Sequence, residues 1–111
     1  MVSRGEVWEY IAGSQQYRVL VISNDEWNDQ PGVSPWGLFI ARTGPQTLTV
    51  GLTESDPLPG AVVHIPKVLR IDPSGLRANC GHVSHDTMHT VEEALRDFLA
   101  LIHARSTAWR C

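Results

Sequence analysis

The sequence predicts a small, mainly β domain with one C-terminal α-helix, its strands wrapped into a twisted barrel. Two observations predict it. From Glu6 to Ile71, short apolar or alternating runs are separated by Gly, Pro, Asn and Ser, the pattern of strands and turns. From Met88 to Ile102 the apolar residues change to helical spacing. Strands this short, turning this often, pack as a small barrel or sandwich.

Each element has its own signal. Glu6 to Ile11 alternates, with Val7 and Ile11 among polar neighbours, and Ala12-Gly13-Ser14 turns the chain. Tyr17 to Ile22 is apolar and rich in β-branched residues, as a buried strand is. Asn24 to Pro35 reads as a loop holding Asp25, Glu26, Asp29 and Trp27. Trp36 to Thr43 is a third strand, ended by Gly44-Pro45. Gln46 to Leu52 alternates through Leu48, Val50 and Leu52. Pro57 and Pro59 exclude helix from Thr53 to Gly60. Ala61 to Ile65 is a strand that Pro66 interrupts, and Val68 to Ile71 resumes it before the turn at Pro73-Ser74-Gly75. The isolated glycines Gly5, Gly37, Gly51 and Gly75 read as bulges or turns.

For the helix, Ser84 is the expected N-cap, with Val83 packed on Met88 and Asp86 near the positive end. Met88, Val91, Leu95, Phe98, Leu99 and Ile102 form the expected buried stripe. Glu92 and Arg96 are expected to pair on the solvent face. Ser106 to Cys111 has no periodicity, so a single domain is expected over residues 1–105, with 106–111 a flexible tail.

Size and charge narrow the function. The 111 residues fit one domain, able to bury about two-thirds of its unfolded surface. A net charge of −3 gives no general attraction to nucleic acid, so such a site must be a local basic patch. Met1 to Glu9 has no apolar signal core, and no window approaches the roughly 20 apolar residues of a membrane span. A cytoplasmic protein without membrane contact is expected. Cys80 and Cys111 lack metal-ligand spacing, and a reduced pair is expected. His85 and His89 share a helix face, but no third ligand accompanies them, so neither a metal nor a cofactor is expected. There is no phosphate-binding glycine loop and no Gly-x-Ser-x-Gly elbow.

The residues that stand out lie at strand rims. Arg18 heads the most apolar strand, where an arginine must reach solvent, a carboxylate or another anion. From the residues alone, an ion pair with Glu6 or Glu9 on the neighbouring strand is the plainer reading. Thr43 is explained by turn chemistry, and His64 by a half-buried strand position.

The order of these segments resembles the MazF/PemK/Kid family of toxins from bacterial toxin–antitoxin pairs. Arg4-Gly5-Glu6-Val7-Trp8 matches the family's opening strand. Arg18-Val19-Leu20-Val21-Ile22-Ser23 matches its second, Asn28 its loop asparagine, and Thr43 the threonine that ends its third strand. Ile71-Asp72, Gly81, Ser84 and the terminal helix follow in the family's order, so the resemblance runs from Arg4 to about His103. It implies an SH3-like barrel of the CcdB/Kid type, a homodimer, and a cognate antitoxin lying across the dimer groove. It also implies a metal-free endoribonuclease that cuts single-stranded mRNA. Arg18 and Thr43 then fall on catalytic positions: the RNA 2′-hydroxyl attacks the adjacent phosphorus, and a guanidinium stabilises the charge that builds there. RNA would be gripped by Gln16, Arg42 and Lys67, with Trp27 or Trp36 stacking on bases.

Three departures from the family pattern follow. Val19 replaces the proline after the arginine. The loop before Arg18 is short and lacks the His-Glu of some members. The acid that some members carry on the later strand falls on Pro66, with His64 two residues before it. A histidine there can act as acid or base near neutral pH. Two other readings keep the fold without this chemistry: a CcdB-type toxin that docks on a protein target such as gyrase through the helix end, and a non-catalytic interaction domain.

Overall fold

A computed structural model describes residues 2–45 and 48–100 of the chain. The expected tail at 106–111, Ile102, His103 and Cys111 lie outside the described residues. Strand β1 (Glu6–Ala12) and strand β2 (Gln15–Val21) form a hairpin in register from Val7 opposite Leu20 to Ala12 opposite Gln15. Only Gly13 and Ser14 turn between them, and Gly13 sits at φ +63°, as tight hairpins require. The remaining elements are α1 (Asp25–Asn28), β3 (Trp36–Ala41), β4 (Thr49–Gly51), β5 (Val62–Arg70), a 3₁₀ turn at Pro73–Gly75, β6 (Leu76–His82) and α2 (His85–Leu99). The class is therefore the expected one, mainly β with a C-terminal helix.

All six strands join one antiparallel sheet in the order β4-β5-β3-β2-β1-β6. Among the described residues the ladder is not closed into a barrel, because β4 and β6 stand at its two edges. Several strand limits differ from the sequence reading. The third strand stops at Ala41, before Thr43, and the fourth run forms strand over Thr49–Gly51, with Gln46 outside the described residues. The fifth runs through Pro66 without a break. The proline is accommodated by a bulge. Leu38 faces Val68 and Ile40 faces Val63, so two steps on β3 match five on β5. The excess residues include Pro66, whose missing N–H then costs no ladder bond.

The sheet has a core on each face. Val7, Leu20, Leu38, Ile40, Val63 and Ile65 lie under α2, where Met88 and Val91 cover them with Val50 and Leu52. Val2, Tyr10, Val19, Val21 and Ile71 form the second core. Gly37 is a packing residue rather than a turn: a Cβ there would lie 2.8 Å from Ile71 Cδ1 and 2.9 Å from the Leu20 carbonyl.

Helix α2 starts where the sequence places it. Ser84 Oγ accepts from Thr87 N–H at 3.2 Å. The buried stripe is shorter than expected, because Phe98 and Leu99 are 46% and 52% exposed. Glu92 pairs with Arg4 rather than with Arg96. Arg4 Nε donates to the Ile22 carbonyl at 3.1 Å, which aims the guanidinium at the helix. A fixed arginine is a better partner than a flexible one a turn away. Among the described residues, no helix is long and apolar enough to cross a membrane.

One carboxylate joins the two sheet edges. Asp56, 6% exposed, lies in the loop between β4 and β5. Its Oδ2 accepts from Thr53 N–H at 2.7 Å, Thr53 Oγ1–H at 2.9 Å and Thr87 Oγ1–H at 2.7 Å. Its Oδ1 accepts from Ser84 N–H at 2.7 Å. Pro57 beside it lies against Gly81 of β6. Where the ladder stops, this loop bridges the β4–β5 end to the junction of β6 and α2.

Burial alone would push the Asp56 carboxyl up. The hydrogen bonds from Ser84, Thr53 and Thr87 outweigh that and hold it at about 2. Its folded value lies below the unfolded 3.8, so its stabilising contribution is complete above pH 4 and is lost as pH falls toward 2. Asp56→Ala should cost roughly 2–4 kcal/mol, because it strands several buried donors. Thermal melts at pH 7 should show Tm lowered by roughly 8 °C or more, and the variant should lose less stability than the parent between pH 4 and 2.5. A shift under about 2 °C would contradict the assigned role.

Candidate active site

Side chains alternate along β2, so Gln16, Arg18 and Leu20 share the face that α2 covers. Leu20 is buried in the core, Gln16 is exposed at the rim, and Arg18 lies between them. Register sets Arg18 abreast of Glu9 on β1 and Ile40 on β3. Arg18 therefore stands where the apolar floor meets solvent.

Two partners were open for this arginine, and the structure selects one. Glu6 is committed elsewhere: its carboxylate accepts from Ser3 N–H at 2.7 Å, Trp8 Nε1–H at 3.0 Å and Asn79 Nδ2–H at 3.0 Å. Glu9 Oε2 lies 3.3 Å from Arg18 NH2, with the side chains 30% and 36% exposed. A pair this exposed contributes about 0–1 kcal/mol, so an incoming anion can displace it. Arg18 Nε–H is shielded from solvent and has no protein partner. The terminal nitrogens, held only by the partly exposed Glu9 pair, are the donors an anion can reach.

Those donors border a cavity of about 300 Å³ lined by Gln16, Arg18, Ile40, Arg42, Leu58 and Ala61, among others. Two guanidinium groups and an amide sit on its rim, with an apolar wall opposite. The wall includes a strained residue, since Leu58 has φ +57°. A leucine in this left-handed region costs about 1–3 kcal/mol, and it is held there by the segment that Asp56 pins.

Thr43 follows Arg42 and is exposed. His64, on β5, reaches it: Nε2 lies 3.1 Å from the Thr43 carbonyl. A carbonyl only accepts, so Nε2 carries the hydrogen, which leaves Nδ1 as the acceptor of a neutral ring. The imidazole also packs against Gly44, where a Cβ would lie 2.7 Å from His64 Cε1. His64 therefore fixes the backbone at the strand exit, a role that sequence reasoning did not assign. Lys67 is exposed within the β5 bulge.

Trp27 does not line the Arg18 cavity, and neither do Thr43, His64 or Lys67. Trp27 and Trp36, 40% and 41% exposed, line a different cavity with Arg4, Ile22, Ser23 and Asn24. The Trp27 indole N–H donates to the Ser34 carbonyl at 2.9 Å. Asp25 and Glu26 precede it, a poor setting for a phosphate chain. The loop asparagine, Asn28, is 6% exposed and serves the loop itself. Its Oδ1 accepts from Ser23 Oγ–H at 2.5 Å and its Nδ2–H donates to the Ser23 carbonyl at 2.9 Å. Among the described residues, no three His, Cys, Asp or Glu side chains gather as metal ligands. His89 faces Glu93 at 3.7 Å on the open side of α2.

Comparison with known proteins supplies the context. No curated protein matches the chain. Among solved structures, it is similar to an endoribonuclease in complex with its cognate antitoxin from a mycobacterial species, with 24% identity and a TM-score of 0.85 over 93% of this chain and 99% of that one. A second mycobacterial endoribonuclease matches with 23% identity and a TM-score of 0.81 over 92% and 94% of the two chains. A chain of the MazE–MazF complex of Deinococcus radiodurans matches with 18% identity and a TM-score of 0.73 over 88% and 94%. At these identities the likeness speaks for the fold. The family model of PemK-like, MazF-like toxins of type II toxin–antitoxin systems matches residues 3–99, and the chain belongs to that family.

Proposed function

We propose that the chain is an endoribonuclease toxin that cuts single-stranded mRNA without metal, acts as a cytoplasmic homodimer and is restrained by a cognate antitoxin. The observation that carries this reading is Arg18. Its guanidinium, held only by the displaceable Glu9 pair, lines a nucleotide-sized cavity, with Arg42 on the same rim and Thr43 next in the chain. Solved relatives with this fold include endoribonucleases, one of them bound to its antitoxin.

RNA carries its own nucleophile, so the protein need only orient the 2′-hydroxyl, move protons and stabilise charge. Arg18 stabilises the charge on the non-bridging phosphoryl oxygens. The Thr43 hydroxyl adds a neutral hydrogen bond there. In this reading His64 acts as imidazolium: its Nδ1–H gives a proton to the departing 5′-oxygen while Nε2–H steadies Thr43 through its carbonyl. Gln16, Arg42 and Lys67 hold the chain on either side. Trp27 is left as a peripheral stacking surface.

A second reading rests on a different observation: Phe98 and Leu99 are exposed at the end of α2. A CcdB-type toxin, or a non-catalytic module, would dock a protein target such as gyrase there.

Cleavage of a single-stranded RNA pool in EDTA separates the readings. Arg18→Ala should lower the rate by about 100- to 1,000-fold with the fold intact. Thr43→Ala should cost about 10-fold, and His64→Ala about 100-fold or more. If the parent cuts and all three variants match it, these roles are wrong. If the parent cuts no RNA yet arrests growth, the protein-target reading replaces this one.

The exposed apolar end of α2 and the short edge strand β4 leave surface that a second copy would cover. Light scattering at micromolar concentration should give the dimer mass, and a monomer throughout would contradict the assembly.

A further inference from the structure

We infer that Glu9 is the general base of the cleavage step, a role that rests on the ribonuclease reading and that no resemblance assigns. The reaction needs a group to take the 2′-hydroxyl proton. The chain lacks the acidic and His-Glu positions found in some members of the family, since Pro66 and a short β1–β2 turn stand in their places. Among the described residues, three features single out Glu9.

The first is position. Glu9 is directly opposite Arg18 in the β1–β2 register, so both side chains leave the same face of the sheet at the same level. The second is distance. Glu9 Oε2 lies 3.3 Å from Arg18 NH2. A phosphate bound by that guanidinium brings its neighbouring 2′-oxygen within hydrogen-bond reach of the carboxylate, about 2.6–3.2 Å. The third is availability. The described residues give Glu9 no hydrogen bond besides the Arg18 contact, whereas Glu6 spends its oxygens on Ser3, Trp8 and Asn79. A base must be free to accept.

The pair therefore works in exchange. In the free protein Glu9 neutralises Arg18. When phosphate takes the guanidinium, the carboxylate is released beside the nucleophile.

The step balances as follows. Glu9 takes the proton of the 2′-hydroxyl, and the O2′–P bond forms. The P–O5′ bond breaks, and its electron pair leaves on the 5′-oxygen, which takes the Nδ1 proton of a His64 imidazolium. The products are a 2′,3′-cyclic phosphate and a 5′-hydroxyl. Glu9 then returns its proton to solvent, His64 regains one, and no oxidant, reductant or further reactant is consumed.

Glu9→Gln and Glu9→Asp test this in the full chain. Cleavage of a random-sequence single-stranded RNA pool is measured in EDTA, with binding measured on the matching 2′-deoxy pool, which lacks the nucleophile. Glu9→Gln should cut about 100-fold slower or worse while binding the deoxy pool as tightly as the parent or tighter. Glu9→Asp should recover part of the rate. A Glu9→Gln variant that cuts within about 3-fold of the parent overturns the role. So does one whose binding weakens by as much as its rate falls, because Glu9 would then only position Arg18. A parent that cuts no RNA overturns the ribonuclease reading first, and the role of Glu9 with it.

Discussion

The carboxylate of Asp56 does what the sheet leaves undone. Among the described residues the six-stranded sheet leaves β4 and β6 as edges that do not pair with each other. Asp56 spans the gap with bonds to Thr53 on one side and to Ser84 and Thr87 on the other. Ser84 is also the N-cap of α2, so one buried charge fixes the loop, the start of the helix and, through the helix, the cover of the larger core. A buried carboxylate is tolerated only when its hydrogen bonds offset the cost of burial, and here they do.

The candidate site inherits its geometry from that closure and from the register of β1, β2 and β3. Glu9, Arg18 and Ile40 lie abreast, and a slip of one residue would send Arg18 to the opposite face. The large core forbids the slip, since Val7, Leu20 and Leu38 would leave it as Arg18 moved. The same pattern that buries the core thus aims the arginine. The loop pinned by Asp56 supplies the facing wall, where Leu58 is held in a backbone conformation that leucine avoids. Strain of this kind persists only where the surroundings over-determine it.

Much of this was legible from the residues. The apolar run after Arg18 marked β2, the change to helical spacing marked α2, and Ser84 marked its start. What escaped had physical reasons. Strand β6, with the sequence Leu-Arg-Ala-Asn-Cys-Gly-His, has no alternation, because it is an edge strand joined to β1 through two register shifts. The single turn of α1 is set by Asn24 and Asn28, whose side chains bond only locally, so it looks like any polar loop. The partner of Glu92 lies 88 residues away at Arg4, beyond the reach of a helix-face rule. The tie between His64 and Thr43, and the choice of Glu9 over Glu6, depend on strand register, which spacing along the chain does not encode.

The central claim is that Arg18 directs an attack by the RNA's own 2′-hydroxyl. The chemistry of the cut ends tests it most directly. A single-stranded RNA pool is incubated with the protein in EDTA, and the product termini are read by mass spectrometry. The account predicts 2′,3′-cyclic phosphate, or the 3′-phosphate it hydrolyses to, opposite a 5′-hydroxyl. Products with 5′-phosphate and 3′-hydroxyl ends would mean that water, not the ribose, attacks phosphorus, and would contradict it.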